Sequence, residues 1–169
     1  HEIGHQPSDR QIQTAAQYRY DFTIRTLKPK TTVLAALTTL RTSGYQLGLI
    51  TDCGPDVPLY WHSTPLANLI DVPVFSCSEQ VKKPDPEIYR RCLQRLNRNA
   101  GECVYVGDGG SQELTGAKAA GCLPILKRIN LSEIYDARPE LVNWDGIAVD
   151  EICELPQLLS GLESGVQGG

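Results

Sequence analysis

The sequence predicts an α/β fold, a doubly wound and largely parallel sheet with helices on both faces. Three observations predict it. Short apolar runs of strand length, at 45–50, 72–76, 104–106, 123–126 and 147–149, alternate with segments of helical periodicity. One of these runs, Val104-Tyr105-Val106, is β-branched and aromatic, which suits a buried strand. It breaks at Gly107-Asp108-Gly109-Gly110 and leads at once into a helical pattern over 112–120 that closes at Gly121. Strand, glycine-rich turn and helix in direct succession form the repeating unit of such folds.

In chain order, residues 9–27 read as a mostly polar helix with Ile12, Ala15, Ala16, Phe22 and the stem of Arg19 along one side. Lys28-Pro29-Lys30 interrupts it. Thr31 or Thr32 is then placed to cap a helix in which Val33, Leu34, Leu37 and Leu40 share a face, ending at Gly44. The strand at 45–50 stops at Thr51-Asp52-Cys53-Gly54-Pro55. Residues 56–69 are looser and carry two internal prolines and Trp61, which is expected to pack rather than to line a substrate mouth. After the short strand at 72–76, Asp85 suits an N-cap and Pro86 a first helical position. The helix they open buries Ile88, Cys92, Leu93 and Leu96. Ser111 is expected to cap the helix after the central strand. Residues 156–162 make a closing helix, and 165–169 a tail.

Composition excludes several classes. With 41% apolar and 21% charged residues in 169, the chain has the makeup of one globular domain with a real core. A net charge of −4 without basic clusters argues against nucleic acid or an anionic membrane surface as partner. No apolar run reaches the length of a membrane span, and no signal-peptide pattern opens the chain. The six cysteines are scattered with no Cys-x-x-Cys pair, so they read as reduced residues of a cytoplasmic protein. His1-Glu2-Ile3-Gly4-His5 spells His-Glu-x-x-His, a zinc motif only inside a continuous helix. Gly4 within it, Pro7 just after it and the lack of a third ligand beyond His62 argue against zinc.

Three strand-end clusters carry the candidate chemistry. Thr51 offers a hydroxyl and nearby backbone N–H groups to a phosphoryl oxygen, with Asp52 beside it. Lys83, on the approach to a helix, offers a compact positive charge to the same anion. Asp108, where a strand ends, and Glu113, in the first turn of the next helix, are two acids around a glycine-rich turn. Such a pair suits a hard cation such as Mg²⁺, which takes oxygen ligands and usually holds a phosphate as well. In a parallel sheet these strand ends face one edge.

These residues resemble the motifs of the haloacid dehalogenase-like hydrolase superfamily. Gly48-Leu49-Ile50-Thr51-Asp52-Cys53 is similar to its second motif, Lys82-Lys83-Pro84-Asp85-Pro86-Glu87-Ile88-Tyr89 to its third, and Val106-Gly107-Asp108 through Glu113 to its fourth. The resemblance spans about residues 27–159. It implies a Rossmann-like core and a Mg²⁺-dependent phosphatase that acts on a small phosphorylated substrate through an aspartyl-phosphate. Thr51, Asp52 and Lys83 would then bind phosphate, with Thr51 and Lys83 catalytic, while Asp108 and Glu113 would hold the metal. Asp at position 52, where Asn is common, fits the phosphatases of the superfamily better than its dehalogenases.

The superfamily's first motif, a strand ending in Asp-x-Asp that supplies the nucleophile and the general acid, has no counterpart here. Asp21-Phe22-Thr23 is the nearest imitation and lacks a preceding apolar strand. In the superfamily that strand is the middle one, between the strands that end here at Thr51 and at Asp108. Its absence leaves two strand edges without partners and no ladder between the halves of the sheet. Residues 1–27 would then be the end of a helical cap and its return linker, 28–163 the core, and 164–169 a flexible tail. The chain is expected to be a fragment that needs a complementing N-terminal segment and does not turn over substrate alone. Two other readings compete. One is a non-catalytic remnant that binds an anion or a partner. The other is a receiver-like domain phosphorylated on Asp52, with Lys83 or Lys127 assisting, which lacks the acidic pair it needs.

Overall fold

The structure, a computed structural model, describes residues 6–130 and 138–166. Its elements are α1 (Asp9–Thr26), α2 (Thr31–Thr42), β1 (Gly48–Thr51), α3 (Asp56–Tyr60), β2 (Val72–Phe75), α4 (Ser76–Glu79), α5 (Pro86–Leu96), β3 (Val104–Gly107), α6 (Glu113–Ala119), β4 (Leu123–Lys127), α7 (Pro139–Val142), β5 (Ala148–Val149) and α8 (Leu155–Val166). All pairings are parallel. Among the described residues β1 pairs only with β2, and β3-β4-β5 form a separate sheet. No ladder joins β1 to β3, as the missing middle strand predicts.

Side chains bridge what the backbone leaves apart. On one face α5 and α6 bury Ile88, Tyr89, Cys92, Leu93, Leu96 and Ala117 against Val74 of β2 and Tyr105 of β3. On the other face α2 and α8 bury Leu40, Leu155 and Leu159 against Ile125, Val149 and Val106. Tyr105 and Val106 join opposite clusters because successive strand residues point to opposite faces. The first cluster draws on both sheets, so helices rather than strand hydrogen bonds hold them side by side.

The helix signals in the sequence hold where local chemistry sets them. The Asp85 side chain accepts from the Glu87 amide at 2.9 Å and caps α5, with Pro86 as its first residue. Gly44 and Gly121 follow α2 and α6 with φ of +92° and +94°, the left-handed conformation that glycine adopts without steric cost. Ser8 and Gln11 form a capping box on α1, a Ser-x-x-Gln signal present in the sequence.

Elsewhere the elements differ from expectation. The Leu47 amide goes to the Asp71 carboxylate at 2.7 Å, so the first strand begins at Gly48 rather than at residue 45. The segment 56–69 is not loose; it holds α3 and two short 3₁₀ turns, with Trp61 buried and edge-on to Phe75. The closing helix continues to Val166, into the expected tail. Most changed is α1. Its expected apolar stripe faces solvent, with Ile12 52% and Phe22 48% exposed, and Thr23 is its one buried residue. Its contact with α3 is polar and aromatic. Arg19 donates twice to Asp56 at 2.7 and 3.0 Å, Thr23 donates to the same carboxylate at 2.6 Å, and Tyr20 stacks edge-on with Tyr60.

Two outcomes follow from this packing. A Cβ at Gly116 would come within 2.6 Å of the Pro84 carbonyl oxygen and 2.7 Å of the Tyr89 hydroxyl. Gly116→Ala should therefore cost about 1–3 kcal/mol in urea unfolding, and an unchanged midpoint would show that the Pro84 loop simply gives way. The Arg19 and Thr23 hydrogen bonds hold the Asp56 carboxyl well below the usual carboxylate range. A lowered folded-state pKa contributes stability above the unfolded value of about 3.9 and loses it as pH falls toward the folded one. Amides of α1 should thus lose hydrogen-exchange protection below about pH 4 before those of α5; simultaneous loss would refute the Asp56 clasp.

Candidate active site

Thr51 closes β1 opposite Phe75, and Gly107 closes β3 opposite Leu126, so Asp52 and Asp108 each follow the carboxyl end of a strand. Lys83 lies between α4 and α5, just before a cis bond to Pro84. Hydrogen bonds tie three of these positions together. The Lys83 backbone N–H donates to Asp52 Oδ1 at 3.1 Å, and Lys83 Nζ lies 2.7 Å from Glu113 Oε2. Glu113 is buried and Lys83 largely so, with side-chain exposures of 6% and 13%.

Glu113 is held from every side. Tyr105 donates to Oε2 at 2.8 Å, the Gly109 amide donates to Oε1 at 3.2 Å, and Tyr89 donates to the Glu113 carbonyl at 2.8 Å. A Cβ on Gly107 would overlap the Glu113 carboxylate, so only glycine lets this strand end approach it. Burial first, and the Glu113 charge next, push the Tyr105 and Tyr89 phenols above their ordinary range, so both stay donors at neutral pH. The two rings also stack edge-on at 5.2 Å.

Asp108 is partly exposed and pairs with Arg138, while its Oδ1 accepts from the Gly110 amide at 3.1 Å. The turn after it carries Ser111 and Gln112 in the left-handed region, at φ 54° and 52°. Ser111 therefore does not cap the next helix, which begins at Glu113. Glu140, on α7, takes that role by accepting from the Leu114 and Thr115 amides at 3.0 and 2.7 Å. Sequence reading missed Tyr89, Tyr105, Arg138 and Glu140. Tyr89 follows Ile88 on the buried face of α5, and Tyr105 alternates with Val106, so pattern alone could have placed both inward. Arg138 and Glu140 flank Pro139 in a segment with no periodicity to read.

Mg²⁺ was expected on Asp108 and Glu113. Both Glu113 oxygens are engaged by Lys83, Tyr105 and Gly109, and Asp108 Oδ1 by Arg138 and the Gly110 amide, so of the two carboxylates only the partly exposed Asp108 could turn an oxygen to a cation, on release of Arg138. Among the described residues no three of His, Cys, Asp and Glu gather as a metal cage. This donor set fits a hard cation in part, as one oxygen ligand of the octahedral set that Mg²⁺ takes. Lys127, the other lysine considered as a helper to Asp52, turns to the Arg128 carbonyl. The His-Glu-x-x-His stretch lies outside the described residues. A hollow of about 760 Å³ along α1, lined by Thr14, Ala15, Tyr18 and Phe22 among others, contains none of the predicted site residues.

A parallel α/β core with lysine, carboxylates and a glycine-rich turn at its strand ends defines a Rossmann-like hydrolase class. The sequence model of one such family, described as haloacid dehalogenase-like hydrolase, matches residues 2–121. The chain belongs to the haloacid dehalogenase-like hydrolases. It is similar to a glyceraldehyde 3-phosphate phosphatase of Methanopyrus kandleri, 30% identical over 159 residues, which cover 93% of this chain and 66% of that protein. It is also similar to the phosphatase of that name from Pyrococcus furiosus, 32% identical over 128 residues, 73% of this chain and 50% of the other. Among solved structures, a HAD phosphatase from Thermococcus onnurineus superposes with a TM-score of 0.61 at 30% identity, over 75% of this chain and 56% of that one. CbbY from Rhodobacter sphaeroides in complex with phosphate shares the fold, with a TM-score of 0.62 at 21% identity over 90% and 71% of the two chains. The chain thus spans 66% and 50% of the two curated relatives.

The ion pair carries a stability consequence. Lys83→Met leaves the Glu113 charge buried without its partner, which should cost about 3 kcal/mol in urea unfolding. Adding Glu113→Gln should recover much of the loss. A Lys83→Met protein as stable as the parent would mean that the pair is solvated in solution.

Proposed function

We propose that this chain carries the phosphate-binding part of a Mg²⁺-dependent phosphatase that cleaves a small phosphate monoester through an aspartyl-phosphate. The nucleophile comes on an apolar strand ending in Asp-x-Asp, which docks between β1 and β3. One observation carries the reading: Lys83, fixed by Glu113 and by Asp52, stands where two parallel sheets end without a ladder between them.

Each residue then has a part. The Thr51 hydroxyl and the Asp52 amide donate to the phosphoryl oxygens, the Cys53 amide being held by Ser76. A carboxylate repels phosphate, so Asp52 serves by holding the Lys83 amide, while the Lys83 ammonium offsets charge on the transferring group. Glu113 is assigned to Lys83 rather than to the ion, because its oxygens are already taken. Mg²⁺, when bound with Asp108 as one ligand, would neutralise the remaining phosphate charge. The names of the relatives make a phosphorylated three-carbon aldehyde the first substrate to try. No helix among the described residues is long and apolar enough to cross a membrane, and a net charge of −4 disfavours nucleic acid. We place the protein in the cytoplasm.

One observation favours a second reading, a non-catalytic member that binds an anion or a partner. Arg138 already occupies Asp108, so the described chain neutralises its own acid there. A single experiment separates the two. Phosphate release from p-nitrophenyl phosphate and from glyceraldehyde 3-phosphate is followed with Mg²⁺, with and without an added segment bearing an apolar strand and Asp-x-Asp. The expected result is turnover only with the segment, abolished by EDTA and lowered on the order of 10²-fold by Thr51→Ala. Binding of the segment without any turnover would favour the second reading.

A further inference from the structure

Cys53 and Cys77 both lie just beyond the carboxyl end of one ladder. The β1–β2 pairing finishes at Thr51 opposite Phe75, and two residues beyond these ends Cys53 stands in the loop after β1 and Cys77 in α4. The parallel register brings the two segments that carry them to one edge of the sheet. Their Sγ atoms are 4.0 Å apart, a thiol–thiol hydrogen-bond contact that no other cysteine pair makes among the described residues.

Both backbones are held in place before any bond forms. The Cys53 amide donates to Ser76 Oγ at 3.0 Å, which ties the loop after β1 to the residue before Cys77. On the other side α4, which carries Cys77, is anchored through Glu79. Its carboxylate accepts from Arg91 at 2.9 Å and from Arg95 at 2.6 Å, and its carbonyl from Arg91 at 2.8 Å. The sulfur atoms then have only to close from 4.0 Å to the disulfide length of about 2.05 Å. Cys77 is exposed and open to an oxidant, whereas Cys53 is half-buried. Burial and the neighbouring Cys77 push the Cys53 thiol up to about 12, which keeps it protonated until it reacts. The other cysteines lack such an arrangement: Cys92, Cys103 and Cys122 sit in or against the core, and Cys153 is exposed on a 3₁₀ turn.

We infer that Cys53 and Cys77 are a redox-modification site, closing to a reversible disulfide under a peroxide and clamping the loop after β1 to α4. In the first step the Cys77 thiol loses its proton and its sulfur attacks the peroxide. An S–O bond forms, the O–O bond breaks, and with hydrogen peroxide one water leaves. In the second step the Cys53 thiol gives up its proton and its sulfur attacks the sulfenic acid at Cys77. The S–S bond forms, the S–O bond breaks and a second water leaves. Two thiols lose two electrons, the peroxide gains them, and a dithiol reductant reverses the change. Cys53 adjoins Asp52, which accepts from the Lys83 amide, so the clamp acts one residue from the site. That consequence rests on the phosphate-binding reading of Thr51 and Asp52; the thiol chemistry does not.

The sequence supplies a clean readout, because trypsin releases residues 42–82 as one peptide whose only cysteines are Cys53 and Cys77. The full chain is treated with hydrogen peroxide, blocked with iodoacetamide and digested. The expected peptide is lighter by two hydrogens and carries no carbamidomethyl group, and its halves stay joined after chymotrypsin until dithiothreitol is added. Cys77→Ser should abolish the link. Cys53→Ser should leave a dimedone-reactive sulfenic acid at Cys77. The inference fails if both cysteines are alkylated under peroxide that oxidises Cys153, or if either pairs as readily with another cysteine. Amide exchange at 52–54 should slow in the oxidised chain, and unchanged exchange would overturn the clamp. None of these measurements requires turnover, so they stand apart from the hydrolase assay.

Discussion

A lysine and a glutamate from opposite sides of a break in the sheet meet with the glutamate buried and the lysine largely so. Lys83 belongs to the chain that follows β2, and Glu113 to the helix that follows β3. With no backbone ladder between those sheets, their pairing is the main polar tie across the gap. Burying two ions costs several kcal/mol each unless their remaining lone pairs and protons are satisfied. Here Tyr105 and the Gly109 amide meet the other needs of Glu113, and no buried side-chain polar atom among the described residues lacks a hydrogen bond. The arrangement fixes position more than it adds stability, since an apolar pair of equal volume could be as stable.

The surrounding core depends on that fixed position. Gly107 and Gly116 are the points where the β3 end and α6 close on Glu113, Pro84 and Tyr89, at distances that tolerate no side chain. Tyr89 reaches from α5 to the Glu113 carbonyl, so one helix packed on the first sheet reads the register of the helix packed on the second. Glu140 then caps α6 from outside and completes the helix start that Glu113 opens. Helix packing and a polar lattice thus replace what a continuous ladder does elsewhere.

The break in the sheet followed from the family resemblance, whereas the fold class and the order of elements were readable from residues alone, because they rest on local chemistry. Examples are the Asp85 cap, the glycines after α2 and α6, and the alternation of Tyr105 with Val106. The helical periodicity of α1 was real but its burial was not, since an apolar side is buried only if another element comes to cover it. Of the site, the positions of Thr51, Lys83, Asp108 and Glu113 could be inferred, but not their pairing. Lys83 and Glu113 are 30 residues apart, and so are Asp108 and Arg138, so which acid takes which cation is decided by tertiary geometry. Ser111 failed as a cap for the same reason. A distant carboxylate, Glu140, competed for those amides and won.

The closure of this network within the chain bears on how a strand would enter the break. Among the described residues β1 and β3 each have one edge without a strand partner, and backbone groups left unpaired away from water are costly. A strand docking there would satisfy both edges, and its carboxyl end would emerge beside Thr51 and Gly107. Neither Lys83 nor Glu113 would have to change partner for that, because their bonds run between the loop after α4 and the start of α6 and not along the strand edges. The phosphate-binding side would be set in advance, and docking would have only to deliver the nucleophile to it. Asp108 is the exception. Its bond to Arg138 must yield before a cation can take that oxygen.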